Sequence, residues 1–216
     1  MELPDLSRVA LEHISLRRTP SQARSRARVE QMLNCAIAVI AEKGSEAMTM
    51  SEIARLAGVS IGSLYQYFPD KSSIMRALAE HYGAECLKCI EQELAGATTL
   101  EELCSALGAL IDVYFALFQA EPVIRDVRSG TEADKTLRDM EISESRKSGA
   151  LLSAALFRVA PECRREDAET ACFLVMHLGE STMRLALSVG PEEGKRLVEA
   201  YKGLALREVR RAGTAA

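Results

Sequence analysis

Apolar residues recur along most of this chain at spacings of three and four, which is the period of an amphipathic α-helix. Alternating runs of β-branched residues, the pattern of strands, are few, and no Asn-Gly or Asp-Gly pair marks a tight hairpin. The pattern therefore predicts an all-α protein of about nine helices, joined by short breaks at glycine and proline.

The first long helix is predicted from about Arg24 to Lys43, and Gly44 should end it. Its apolar positions fall on one stripe, which is expected to face a core. These positions are Val29, Leu33, Ala36, Ile37 and Ile40.

Two short helices joined by a glycine turn follow, over about residues 48–67. Thr49 is a suitable N-cap, and Glu52 stands at the third helical position, as in a capping box. Gly58 is able to adopt the positive φ that reverses the chain, and Ser60 caps the next helix. The predicted helices are Met50 to about Ala57 and Ile61 to about Phe68. This is the layout of a helix-turn-helix, whose second helix enters a DNA major groove.

The later helices are predicted from the same periods and breaks, without an internal repeat. Thr98 and Glu101 indicate a second capping box before a leucine-rich helix. The predicted helices are Asp70 to about Leu94, one that carries Leu100 to Leu117, Pro122 to about Arg128, Glu132 to about Arg158, Glu166 to Val189, and Pro191 to about Arg211.

Three segments are expected from this organisation. Residues 1–23 should form a basic flexible tail, residues 24–86 a three-helix domain that carries the helix-turn-helix, and residues 87–216 a C-terminal helical domain. No run of apolar residues was found that approaches the roughly 20 needed to cross a bilayer. The expected protein is cytoplasmic and has no membrane partner.

Charge limits where DNA could bind. The chain has 27 Lys and Arg against 31 Asp and Glu, a formal net charge of -4, so DNA binding must use a local basic patch. Five arginines without an intervening acid form such a patch: Arg17, Arg18, Arg24, Arg26 and Arg28. Arg24, Arg26 and Arg28 begin the first helix and are candidate DNA contacts. Arg17 and Arg18 fit a solvated leader equally well.

The second helix of the motif has a core face and an outer face. Leu64 and Phe68 should pack in the core. The remaining positions are available to solvent or DNA: Ile61, Gly62, Ser63, Tyr65, Gln66 and Tyr67. Gln66 is able to pair with an adenine edge, Ile61 can pack on a thymine methyl group, and Gly62 allows close backbone approach. Ser63 and the two tyrosines are able to donate to phosphates or bases.

Lys71 begins the following helix, where a cation is unfavourable for the helix dipole. An external anion such as a DNA phosphate is one reason for it. An ordinary exposed lysine is the alternative.

The block from Ala47 to Lys71, AMTMSEIARLAGVSIGSLYQYFPDK, closely resembles the DNA-binding domain of the tetracycline-repressor (TetR) family of bacterial regulators. The resemblance extends from about Arg24 to Leu78. It implies phosphate contacts by Thr49, Ser60, Tyr67 and Lys71, and base-reading or groove-facing roles for Ile61, Gly62, Ser63, Tyr65 and Gln66. Many members of that family carry a lysine or another polar residue where this chain has Ile61.

The resemblance also implies that residues 24–86 are the DNA-binding domain and that residues 87–216 are the effector-binding and dimerisation domain, with a homodimer formed by the last two helices. The penultimate helix is apolar on nearly every side, which requires burial all round, either in the centre of the monomer or against a partner. One of its seams consists of Ala171, Leu174, Leu178 and Leu185. An approximately palindromic DNA site would match the two-fold symmetry of such a dimer.

In the TetR family the interior between the middle helices binds a small-molecule effector. The candidate lining residues here are Tyr82, Cys86, Ile111, Tyr114, Phe115, Phe118, Met140, Phe173, Met176 and His177. Plain core packing is the alternative for each of them. His177, Glu180, Ser181 and Arg184 share a face that could orient a polar ligand group or pair across a dimer; a pair within the helix, Glu180 with Arg184, is the simpler alternative.

Six cysteines are present without a secretory leader, which favours a reduced, cytosolic protein. Cys86 and Cys89 have the spacing of a metal or redox pair, but no second pair lies nearby, so a place in the core is favoured over a zinc site. No phosphate-binding glycine loop, HExxH or nucleophile elbow indicates an enzyme. No cofactor and no metal are expected.

The sequence thus predicts a DNA-binding transcriptional regulator. The expected form is a homodimeric repressor that a small-molecule effector releases from a palindromic operator in double-stranded DNA. Two alternatives stay open: a regulator that senses redox state or metal through cysteines, and a helical binding protein that does not bind DNA.

Overall fold

A computed structural model describes residues 23–129 and 135–214, together with Val9, Ile14 and Leu16. Within these residues the protein is all-α, as predicted, with nine helices and no strand. The helices are α1 Ala23–Ala47, α2 Met50–Leu56, α3 Ile61–Tyr67, α4 Lys71–Ala95, α5 Leu100–Ala120, α6 Pro122–Ser129, α7 Lys135–Val159, α8 Arg165–Ser188 and α9 Pro191–Thr214.

Some expectations lie outside the described residues. They are the placement of Arg17 and Arg18, most of the expected flexible tail, and the start of the long helix expected at Glu132.

The described chain divides into two compact units. The first unit consists of the described residues of Pro4–Glu85 and Glu121–Arg138, and the second of those of Cys86–Ala120 and Asp139–Ala216. Helix α6 therefore belongs to the first unit, where it packs on α1. The boundary between the units falls within α4, which runs from Lys71 in the first unit to Ala95 in the second.

The core of the first unit forms around α1. Val29, Leu33, Ala36 and Ile40 of the predicted stripe are buried, whereas Ile37 is half-buried. Met32 and Val39 are buried beside them, so the apolar stripe is wider than expected. Helix α2 packs on α1, and α3 packs on α2.

The turn between α2 and α3 is built from local signals that the sequence displays. The Thr49 side chain accepts from the Glu52 amide at 3.3 Å, and the Ser60 side chain accepts from the Ser63 amide at 3.1 Å. Both residues are N-caps, as predicted. Gly58 has φ 64°, the left-handed conformation that glycine adopts at low cost, and the chain reverses there. The Glu52 carboxylate pairs with Lys43 of α1.

Helix α1 does not end at Lys43 as expected. Its backbone departs from helical geometry at Gly44, where φ is 82°, and a further helical turn continues to Ala47. The Asp126 carboxylate of α6 accepts from the Ser45 amide at 2.5 Å, directly after this kink. A long-range acceptor therefore satisfies an amide where the helix is interrupted.

The second unit is organised by α5, α8 and α9, which pack against one another. The Tyr201 hydroxyl of α9 donates to the Val175 carbonyl of α8 at 2.5 Å. At Gly194, an added Cβ would lie 2.1 Å from the Ala186 carbonyl oxygen, so only glycine allows these helices to approach so closely. The α8–α9 pair is thus a tightly packed element.

Helix α5 begins at Leu100, one residue later than the expected N-cap at Thr98 would place it. The Thr99 side chain accepts from the Glu102 amide at 3.2 Å, and the Glu102 carboxylate accepts from the Thr98 amide at 2.9 Å and its hydroxyl at 2.7 Å. These bonds, the Thr98 hydroxyl first, lower the pKa of the Glu102 carboxyl. The predicted Thr98 and Glu101 pair was wrong because two adjacent threonines offer the same local signal.

Helix α5 is also long and apolar enough to span a bilayer by length and composition alone, which the search for apolar runs overlooked. It packs on α8 and α9, and its Asp112 accepts from the Lys202 ammonium of α9 at 2.6 Å. These contacts are those of a core helix in a helical bundle.

Candidate functional site

The outer face of α3 is exposed and mixed in character. Ile61 and Tyr65 are 41% and 44% exposed, and Gly62 and Gln66 are also exposed. Ser63 is half-buried. Leu64 and Phe68 are fully buried in the first unit, as predicted. The helix therefore presents a face suited to the floor of a major groove.

Tyr67 is not on this exposed face. It was expected to be available to solvent, but it is buried, with 7% of its surface exposed. Its hydroxyl lies 2.6 Å from the Ser25 hydroxyl in the first turn of α1, and either oxygen could be the donor. The physical reason is that Tyr67 ends α3 beside α1, where its ring is covered and its polar atom finds a partner. A phosphate contact by this hydroxyl stays a prediction.

Lys71 has a partner within the protein. Its ammonium donates to the Glu46 carbonyl at 2.9 Å, and the side chain is half-buried. The carbonyls of the last helical turn lack partners within the helix, so a cation at the end of α1 is favourable. This contact supplies an internal reason for the lysine. An ammonium group has three donors, so a phosphate contact is compatible with it.

The remaining predicted phosphate contacts lie at exposed helix starts. Thr49 and Ser60 are exposed, and each side-chain oxygen accepts an amide while its own hydroxyl hydrogen stays a donor. Arg24, Arg26 and Arg28 are exposed in the first two turns of α1, which has no acidic residue in its first turn. These exposed hydroxyl and guanidinium groups are of the kinds that contact DNA phosphates, and their phosphate contacts stay a prediction.

The second unit contains a buried polar network that joins α5, α7 and α8. The Arg184 guanidinium donates to Glu141 at 3.0 Å and lies 3.6 Å from Glu180, while the Tyr114 hydroxyl donates to the Glu180 carboxylate. Both glutamates are buried, at 4% and 8% exposure. The pair within the helix between Glu180 and Arg184, given above as the simpler alternative, thus forms within a larger network that includes Glu141 of α7.

His177 lies on α8 three residues before Glu180, on the same face of the helix as Glu180 and Arg184. Its Nδ1 is 3.1 Å from the Ser145 hydroxyl of α7, and its ring lies 6.1 Å from that of Phe173. The Arg146 guanidinium stacks over Phe173 at 4.6 Å. Polar and aromatic groups of α7 and α8 therefore meet along one seam.

The other candidate effector residues differ in burial. In the second unit Ile111 and Phe118 are buried, and the remainder are half-buried: Cys86, Tyr114, Phe115, Met140, Phe173, Met176 and His177. Tyr114 and Phe118 stack edge to face with ring centroids 4.8 Å apart. Tyr82 belongs to the first unit and is buried; desolvation, then Glu121, raises the pKa of its phenol.

Four leucines of the second unit are exposed although they are large and apolar. They are Leu174, Leu178 and Leu185 of α8 and Leu204 of α9, between 45% and 59% exposed. The three on α8 belong to the seam noted in the sequence, whereas Ala171 of that seam is buried. We call these four residues the leucine patch.

Burial raises the pKa of four of the six thiols, those of Cys35, Cys89, Cys104 and Cys172. Burial, and then Glu93, raises the pKa of the Cys89 thiol, and burial raises that of Cys172 to about 12. Reactive cysteines have a lowered pKa instead. Among the described residues, no group of three or more His, Cys, Asp or Glu side chains is placed to hold a metal ion.

Within the described residues the protein is all-helical, and its short α3 follows a glycine turn and exposes Ile61, Tyr65 and Gln66. This arrangement is that of the helix-turn-helix class of DNA-binding proteins. Residues 33–78 match the family described as bacterial regulatory proteins, tetR family, and residues 101–211 match the tetracyclin repressor-like C-terminal domain. This chain belongs to the TetR family of transcriptional regulators.

A curated relative agrees with this assignment. The uncharacterized HTH-type transcriptional regulator YvdT of Bacillus subtilis is 32% identical over 113 residues, 52% of this chain and 57% of that protein. The chain therefore matches little more than half the length of that curated relative.

Solved structures share the fold across most of the chain. A TetR-family transcriptional regulator from Streptomyces coelicolor superposes with a TM-score of 0.66 at 22% identity, covering 87% of this chain and 98% of that one. The regulator FadR from Bacillus subtilis, in complex with stearoyl-CoA, superposes with a TM-score of 0.60 at 19% identity, covering 82% of this chain and 97% of that one.

Sequence reasoning missed three residues that organise these sites. Ser25 and Asp126 act on partners 42 and 81 residues away, and neither stands in a recognisable motif. Glu141 is one acid among several on the polar N-terminal half of α7. Of these three residues, only Glu141 could have been found from the sequence, by a search for acids able to pair with Arg184.

Proposed function

We propose that this protein is a cytoplasmic homodimeric repressor that binds a palindromic operator through α3 and leaves it when a small molecule binds the second unit. The observation that carries the proposal is the exposed outer face of α3, held by a buried Leu64 and Phe68. Exposed arginines begin α1, and hydroxyl groups stand at the starts of α2 and α3. This combination of base-facing and phosphate-facing groups fits duplex DNA.

The leucine patch supports the dimer. Isolated exposed leucines are ordinary, but Leu174 and Leu178 stand one turn apart on α8, Leu185 follows two turns later, and Leu204 is exposed on the adjoining α9. In the TetR family the last two helices pair with the same helices of a second copy. We therefore expect a second copy of this chain to cover the leucine patch. Two recognition helices then read two half-sites, which raises specificity beyond what one short helix provides.

The dimer is tested by sedimentation velocity of the full chain. Leu178→Glu with Leu185→Glu should convert the dimer to monomer, because buried charges without partners oppose association. Leu56→Glu is the matched control, since Leu56 is 43% exposed on α2 and belongs to the first unit, whereas the leucine patch belongs to the second. A double variant that stays dimeric contradicts the proposed interface.

The effector is proposed to bind among the aromatic and polar residues of α5, α7 and α8. Buried acids beside Arg184 give the second unit polar groups able to orient a ligand, and the neighbouring aromatic rings give it apolar surface. Stearoyl-CoA is a rational first probe because a fold neighbour contains it. An effector acts by preferring one of two dimer geometries, which α4 would convey by changing its tilt.

Selection of duplexes from a random pool tests operator binding. The proposal predicts an approximately palindromic site whose half-sites are about one or two helical turns apart, or about 10 to 21 base pairs. Compounds, beginning with stearoyl-CoA, are then screened for release of the fluorescent duplex. A pool that yields no enriched sequence rejects operator binding, and an enriched site that no compound releases rejects only effector control.

A further inference from the structure

The end of α1 has a backbone conformation that is nearly specific to glycine. At Gly44 the φ and ψ angles are 82° and 159°, a region that other residues rarely occupy. An added Cβ would lie 3.6 Å from a carboxylate oxygen of Asp126, which is an ordinary contact, so the backbone and not a lack of space favours glycine here. Such conformations persist only where the surrounding structure holds them, and they are frequent in switch regions.

Two charged side chains from other helices hold the turn that follows the kink, residues 45–47. The Asp126 carboxylate of α6 accepts from the Ser45 amide at 2.5 Å. The Lys71 ammonium of α4 donates to the carbonyl of the next residue, Glu46, at 2.9 Å. Hydrogen bonds in which one partner is ionised are stronger than neutral ones. Helices α6 and α4 thus both bind the same short turn of α1.

This turn lies directly before the helix-turn-helix. Thr49, the N-cap of α2, follows it by two residues, and the Glu52 carboxylate of α2 pairs with Lys43 just before the kink. A change of backbone conformation at Gly44 therefore changes where the chain enters α2, and α3 packs on α2. The kink thus positions the recognition helix, although Gly44 is not part of α3.

Helix α6 connects this turn to a helix of the second unit through the chain itself. Only Glu121 separates α6 from the end of α5 at Ala120, yet α6 belongs to the first unit and packs on α1. A displacement of the end of α5 is therefore passed directly to α6 and to the Asp126 bond. Since Lys71 of α4 holds the same turn, movements of α4 and of α6 act on the same residues of α1.

We propose that the Asp126–Ser45 hydrogen bond and the kink at Gly44 form a latch, which holds the helix-turn-helix in its DNA-binding geometry and makes operator binding depend on the position of α6. This inference rests on the proposed operator binding. It adds two positioning residues, Asp126 and Gly44, that act through α1 and not by touching DNA. Because coupling between two sites is reciprocal, operator binding must in turn stabilise the latch.

Hydrogen exchange of the full chain, measured by mass spectrometry with and without a duplex selected from a random pool, tests this reciprocity. Exchange in peptides that contain Ser45 and in peptides of α6 should slow about fivefold or more when the duplex is added, the lower end of usual couplings. Helix α6 carries no proposed DNA contact, so a merely structural role of Asp126 does not produce this protection.

Replacing Asp126 should remove the coupling. In Asp126→Ala the protection of α6 by the duplex should disappear, and duplex affinity in anisotropy titrations should fall about fivefold or more. Asp126→Asn keeps an acceptor oxygen and should lie between the wild type and Asp126→Ala in both measurements.

Gly44→Ala tests the kink separately, because alanine keeps Asp126 in place but disfavours the positive φ. It should lower duplex affinity about fivefold or more and abolish the protection of α6. Gly190→Ala is the matched control: Gly190 also has a positive φ, of 95°, an added Cβ there meets nothing within 4 Å, and it lies between α8 and α9. This control should lower the melting temperature and leave duplex affinity and α6 protection unchanged.

The results separate this inference from the function on which it rests. If the wild-type protein binds the duplex but the exchange of α6 does not change, the latch is wrong and operator binding stands. If Gly190→Ala weakens duplex binding as much as Gly44→Ala, the loss reflects general stability and the latch is again wrong. Should neither Asp126→Ala nor Gly44→Ala fold, the wild-type exchange decides. Failure to bind any duplex removes the proposed function itself.

Discussion

The hydroxyl oxygens of Ser25 and Tyr67 lie 2.6 Å apart and join the first turn of α1 to the last turn of α3. Tyr67 is otherwise buried, so this contact fixes the position of its polar atom. The arginines on either side of Ser25 are exposed. This hydrogen bond therefore links the end of α3 to the basic start of α1.

Removing either hydroxyl should weaken the first unit and DNA binding together. Tyr67→Phe and Ser25→Ala should each cost about 1 kcal/mol of unfolding free energy, the usual value for one hydrogen bond. If the Tyr67 hydroxyl also contacts phosphate, Tyr67→Phe should reduce DNA affinity more than Ser25→Ala does. Urea unfolding and fluorescence anisotropy measure the two effects, and equal losses of affinity would argue against the phosphate contact.

The salt dependence of DNA affinity should distinguish a structural role of Lys71 from a contact with DNA. Lys71→Gln should reduce the magnitude of the slope of log K against log salt by about 1 for each protomer, because one fewer phosphate is neutralised. Lys195→Gln is the control on exposed α9 surface. An unchanged slope with a lowered melting temperature would assign Lys71 only to the end of α1, where it donates to the Glu46 carbonyl.

Asp126 should protect the chain at the kink in α1. Its carboxylate accepts from the Ser45 amide at 2.5 Å, and a hydrogen bond to a charged group contributes about 1.5–3 kcal/mol. Asp126→Ala should therefore speed hydrogen exchange in peptides that contain Ser45, measured by mass spectrometry. Asp126→Asn keeps an acceptor oxygen and should give a smaller effect. Exchange that stays at the wild-type rate in both variants would contradict this role.

Arg184 should be needed for the stability of the second unit. Arg184→Met removes the guanidinium that contacts the buried Glu141 and Glu180, and breaking a buried ion pair from one side costs about 3–5 kcal/mol. Adding Glu141→Gln should recover part of the loss, because one of the two buried charges is removed. Thermal and urea unfolding measure both variants. A loss below about 1 kcal/mol would show that water or other groups replace the guanidinium.

Sequence reasoning was most accurate where the interacting residues are close together in the sequence. Thr49, Gly58 and Ser60 specify α2, the turn and α3 through contacts within a few residues, so both helices begin where predicted and end one residue earlier than expected. Adjacent Thr98 and Thr99 give the same signal, and choosing between them needed the Glu102 side-chain geometry.

Contacts between distant residues could not be predicted in the same way. The burial of Tyr67 depends on α1, the continuation of α1 past Gly44 is accompanied by Asp126, and the Glu141 bond to Arg184 joins α7 to α8. Helical periodicity reports which face of a helix is apolar but not which helix covers it. This is also why α6 was not expected to pack on α1.

The most direct test of the central claim, DNA binding through the arginines of α1 and the start of α4, is the salt dependence of affinity for a selected palindromic duplex. With Arg24, Arg26, Arg28 and Lys71 of two protomers on eight phosphates, the account predicts a log–log slope of about -7. Anisotropy titrations between roughly 50 and 200 mM salt measure it. A slope whose magnitude is below about 1 would contradict the account.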